Sequence, residues 1–147
     1  MSLTAKERVR ELIVGIQQDT GRYQELEQVL QRQHALLAAH DVDSLATHNQ
    51  QQNRLMAQVQ LQAQQRCQHL LALGLKPDEK GMAKLIAKLP DNLQRQVGAQ
   101  WQQLEHSLKR CLHQNELNGR LLAGQIETIQ TLLGQEPGYG QPDDFRD

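Results

Sequence analysis

The feature that most constrains this fold is a long apolar register near the end of the chain. From Val97 it runs through Trp101, Leu104, Leu108 and Cys111, then Asn115 and Asn118, then Leu122, Ile126, Ile129 and Leu133. Steps of four and three alternate as far as Asn118, the spacing of a helix that lays one stripe against neighbouring helices. Two successive four-residue steps then reach Leu122 and Ile126, a stutter that predicts local unwinding of the supercoil. Beyond it the stripe widens, because Leu121 and Leu132 flank it. A single helix is therefore expected from Asp91 to about Gly134.

Three more helices are predicted upstream. Thr4 followed by Glu7 is a capping box, and the apolar positions from Val9 to Leu37 extend that helix to about residue 39. Gly15 and Gly21 interrupt it without Pro or a turn cluster, so both are read as small residues at a close helix contact. The stretch "HDVDS" carries turn chemistry, with Asp43 or Ser44 as the cap of a second helix reaching Leu73. Gly74, Leu75 and Pro77 end it. A short helix capped by Asp78 follows, with Met82, Leu85, Ile86 and Leu89 as its apolar side and Pro90 as its stop. The expected architecture is an elongated antiparallel bundle of three long helices and one short one, a single domain over residues 1–134. The remainder, 135–147, is "QEPGYGQPDDFRD", too rich in Pro, Gly and Asp to build structure of its own, and is read as a flexible tail.

Composition excludes several functions. The net charge is -1 with mixed signs, so the charge count implies no nucleic-acid footprint. Roughly one residue in six is Gln while aromatics are only 3%, the composition of a solvated helical coat. No stretch reads as a membrane span or a signal peptide, which predicts a cytosolic protein. Cys67 and Cys111 each fall on an apolar stripe and are expected to stay reduced and buried.

Catalytic chemistry finds little footing. Among six histidines none stands at H-x-x-x-H spacing, and His106 and His113 lack a third ligand beyond Glu105 or Glu116. Cys111 and His113, two apart on a helix, face different ways. No metal, cofactor or enzymatic activity is expected. What the chain offers instead is apolar helical surface, and two readings of the wide stripe stay open. It packs into the bundle's own core, or part of it receives a partner helix.

One element is distinctive. In "NELNGRLL", Asn115 and Asn118 sit on the seam and Gly119 follows where the seam slips; a buried Asn at such a position fixes register at a cost in stability. With about 20 helical residues and then "GYG" in a short polar tail, this arrangement resembles the FlgN family of flagellar export chaperones. The looser upstream likeness, through Arg66, "LLALGL" and the Trp101 region, extends over the chain. After Gly140 the tail departs from the family pattern, with Gln141-Pro142-Asp143 in place of a further glycine. The resemblance implies a non-enzymatic cytosolic chaperone that binds the C-terminal helical segments of the hook-associated proteins FlgK and FlgL and delivers them to the flagellar export gate. Carried onto matching positions, it implies partner-binding residues Leu121, Leu122, Ile126, Ile129, Leu132 and Leu133, and an export-gate contact at Tyr139. Leu121 and Leu132 are expected nearer the exposed edge. The alternative is a helical scaffold or adaptor that self-associates through the same stripe.

Overall fold

The computed structural model describes residues 2–134. The tail reading, with Tyr139, lies outside the described residues. Four helices make up the fold: α1 (Ala5–Ala38), α2 (Val42–Ala72), α3 (Glu79–Ala87) and α4 (Asp91–Leu132). Among the described residues there is no strand. The all-α bundle of three long helices and one short one is as the periodicity predicts.

Local chemistry sets most of the boundaries. Thr4 Oγ1 accepts from the Glu7 amide while the Thr4 amide donates to Glu7 Oε1, which closes the capping box. Asp78 accepts from the Gly81 amide and starts α3. Gly74 takes φ +76°, a left-handed conformation that costs Gly little, and α2 stops there. The second cap differs from expectation. Asp41 accepts from the Ser44 amide, so α2 begins two residues earlier than a cap at Asp43 allows. In the turn before it, His40 adopts φ +54°.

The central helix is α1, with α2 and α4 each packed along it and α3 against α4. Because α2 returns antiparallel, α4 runs parallel to α1. Three contacts fix that alignment: the Cys111 thiol donates to the Tyr23 carbonyl, Asn118 Nδ2 to the Leu30 carbonyl and Gln125 Nε2 to the Leu37 carbonyl, each joining residues 88 apart. The spacing is one heptad per contact. Hence α4 keeps its register with α1 through the point where the apolar pattern slips, and the position facing α1 there is taken by Gln125. The core collects Leu12, Ile16, Tyr23, Leu26 and Leu30 from α1, Leu55, Val59 and Leu70 from α2, and Val97, Leu104 and Cys111 from α4.

The two early glycines part company. Gly15 is buried and a Cβ there would collide with the side-chain amide of Gln62 on α2, so the small residue makes room for a neighbouring helix's side chain. Gly21 is exposed and a Cβ would touch nothing, so the close-contact reading fails for it.

Candidate functional site: an uncovered face on the last helix

The apolar positions of α4 form two rows. Leu104, Cys111 and Asn118 face α1 and are buried. Trp101, Leu108, Asn115 and Leu122 lie one step round the helix, toward α2; the first two are half-buried and the last two exposed. Burial is thus lost progressively along α4. The reason lies in how α2 is held: Arg66 of α2 pairs with Asp19 of α1 at 3.1 Å and stacks over the Trp101 ring at 5.3 Å. That contact ties the three long helices together at one end, and further along no comparable pairing joins α2 to α4.

Asp19 is fully buried and also pairs with Arg22 at 3.3 Å. Burial pushes its carboxyl above the usual range, against the opposing pull of Arg66 and Arg22. Sequence reading missed it, although a signal was present. Asp19 stands midway between Ile16 and Tyr23 on a seam otherwise composed of apolar residues.

Asn118 makes the densest polar contact of the α1–α4 seam. Besides the Leu30 carbonyl at 2.7 Å, its amide donates to Gln33 Oε1 at 3.0 Å, and its oxygen meets Gln114 Nε2 and His34 Nδ1, each at 3.0 Å. Asn118 is thus buried with its side-chain amide and oxygen both partnered, three of the four contacts reaching α1. Asn115 is not part of that set: the residue is exposed, because its row faces the space beside α2. Gly119 adjoins the same space, and a Cβ there would meet nothing within 4 Å.

Past Asn118 the stripe leaves the covered side. Leu121 is half-buried and Leu122 exposed, the reverse of the expected order, because Leu121 sits beside the end of α1 while Leu122 turns toward α2. Ile126, Ile129, Leu132 and Leu133 are 42%, 55%, 80% and 68% exposed. Since α1 stops at Ala38, the last turns of α4 overrun it and have no helix beneath them. A shallow hollow lined by Ala38, His40, Leu121, Gln125, Ile129 and Leu132 marks the step. Contiguous exposed aliphatics of this kind make the run a candidate interaction surface.

The cysteines are both free. Cys111 is buried, and burial first, with the Glu27 carboxylate second, pushes its thiol up to about 11. At pH 8 only about one thiolate in a thousand is then present at equilibrium. Titration of the native protein with a thiol-specific disulfide reagent at pH 8 is expected to leave Cys111 unmodified until the chain is unfolded. Rapid native labelling of Cys111 would contradict this placement.

Among the described residues no group of three or more His, Cys, Asp or Glu is placed to hold a metal ion, and no helix is long and apolar enough to cross a membrane. The sequence model of the family described as FlgN protein matches residues 1–134. Neither the curated proteins nor the solved structures contain a match to the chain.

Proposed function

This chain belongs to the FlgN family, a family of flagellar export chaperones that are in general non-enzymatic, and on that premise we propose that it binds the C-terminal helical segments of the hook-associated proteins FlgK and FlgL in the cytosol. In this reading it masks those segments from premature assembly and delivers them to the export gate. The observation that carries it is the exposed run of Ile126, Ile129, Leu132 and Leu133, which begins level with the end of α1 and continues past it. A free amphipathic helix and an uncovered aliphatic stripe each lose about 25 cal/mol of hydration cost per Å² when they meet. Masking therefore needs neither ATP nor chemistry, and release needs only a competing surface. Leu121 and Leu122 extend the contact toward the bundle. Tyr139, by the family likeness, contacts the gate.

Leu132→Asp tests the proposal. Full burial of a leucine contributes roughly 1.5–3 kcal/mol, so loss of the apolar contact and burial of a carboxylate are expected to weaken subunit binding at least tenfold, or about 1.4 kcal/mol. At 80% exposure Leu132 contributes little to the bundle, so far-UV dichroism and melting should stay as in wild type. Unchanged affinity for both subunits would refute the site. Oligomers that form through this stripe while no subunit binds would favour the scaffold alternative.

A further inference from the structure

We infer that the groove between α2 and α4, floored by α1, seats a partner's amphipathic helix with an uncharged inner face, completing a four-helix bundle. The inference deepens the chaperone reading, on which it rests for the partner's identity, and it moves part of the binding surface onto α2.

In an up-down-up arrangement whose second and third long helices both lie along the first, a gap between those two is the position of a fourth helix. This chain fills one end of that gap itself. Met82 of α3 enters beside Leu70, Trp101, Leu104 and Leu108, closing the groove near the Arg66 clamp. Nine residues of α3 reach no further. Beyond them the groove continues between Met56, Val59 and Gln60 on one wall and Leu108, Leu112 and Asn115 on the other, over Tyr23, Leu26 and Leu30. It then passes Gln52, Gly119 and Leu122. From Leu108 to Leu122 the span is about 21 Å at 1.5 Å per residue, the length of a four-turn helix.

The lining specifies the occupant. Along this open length no lining residue is charged, although charged side chains occur on the outer faces of the same helices. A partner residue brought in here with a charge would find no counterion, and its desolvation would go uncompensated. Met56 and Leu112 stand exposed on opposite walls and call for aliphatic contacts. Gln52 lies on the α2 wall with its side-chain oxygen buried and unpartnered, which calls for a donor such as Gln, Asn, Ser or Thr on the incoming helix. Gly119 lowers the wall at the point where the helices come closest to the exposed run of α4. Leu122 belongs to both surfaces, so one helix of about six turns would follow the groove and continue over Ile126 and Ile129.

The test measures affinity of the full chain for the C-terminal segment of a hook-associated subunit. Met56→Glu combined with Leu112→Glu is expected to lower affinity tenfold or more without changing melting, whereas Met56→Leu with Leu112→Met should keep wild-type affinity. A photocrosslinker installed as Leu112→p-benzoylphenylalanine should capture the segment. If the glutamates leave affinity unchanged and no crosslink to the segment forms, while Leu132→Asp still weakens binding, the groove assignment is wrong and the chaperone reading survives. A crosslink only to a second copy of the chain, with a dimer in sedimentation that the glutamates dissolve, also overturns it. Failure of the wild-type chain to bind any subunit segment removes both readings together.

Discussion

Asp19→Ala is expected to destabilise the fold by about 3–5 kcal/mol, the range found when one partner of a buried ion pair is removed. Two arginines lose their counterion. Arg22 is 31% exposed at its side chain and can turn to solvent, but Arg66 is 12% exposed and held over Trp101, so most of the penalty falls there. For a chain near 150 residues this corresponds to a fall in Tm on the order of 10 °C. Asp19→Asn separates charge from shape. It keeps the hydrogen-bonding outline and should cost less than alanine. The pH dependence gives a second readout. Burial raises the native carboxyl of Asp19 above its ordinary value of 3.8, so just above that pH the native state holds a proton that the unfolded chain has lost. Its contribution is fully present below the unfolded value and declines as pH rises through the native one. Wild type should therefore lose stability relative to Asp19→Asn as pH is raised across that window. A wild type that gains stability relative to Asp19→Asn as pH rises, or an alanine variant as stable as wild type, would contradict the buried network.

How far sequence sufficed depends on which physics decided each feature. Local chemistry was legible: the capping box, the Gly74 stop, Asp78 and Pro90 bound their helices where their side chains and backbone demand. Apolar spacing gave the number and length of the helices, and those lengths already imply that α4 outruns α1. The rotation of the stripe was harder. A slip in apolar steps after Asn118 looks like unwinding, yet Gln125 keeps the heptad by hydrogen bonding to the Leu37 carbonyl, so a count of apolar residues alone loses the seam. Asp19 escaped for the same reason. Asn115 and Asn118 are indistinguishable by spacing; only the packing of α4 on α1 buries Asn118 while Asn115 faces the groove beside α2, and that difference is a tertiary outcome. The candidate surface was found through family likeness and stripe width, but its α2 wall, Met56 and Gln52, gave no signal before the helices were assembled.

Of the three hydrogen bonds that align α4 on α1, Asn118 makes the one with the most partners, and Asn118→Ala is expected to expose its share in the register. The substitution removes a donor to the Leu30 carbonyl and to Gln33 and an acceptor for Gln114 and His34. The partners nearer solvent can rehydrate, so the cost should be about 1–3 kcal/mol, the price of stranding a buried polar group. The larger effect is on register. Contacts repeat one heptad apart along this seam, so a slide of α4 by seven residues would again set apolar rows facing each other. Asn118 opposes that slide because its amide must meet a particular carbonyl. Spin labels at Gln31 and Arg120, exposed residues on α1 and α4, should report one narrow distance in wild type and a second, about 10 Å displaced along the axis, in the variant. Asn118→Leu should regain part of the stability by burying apolar area while keeping the mixed distances. A single unbroadened distance in both variants would show that packing alone holds the register, and the same slide would matter for function because a shift toward the start of α1 withdraws Ile129 and Leu132 from beyond its end.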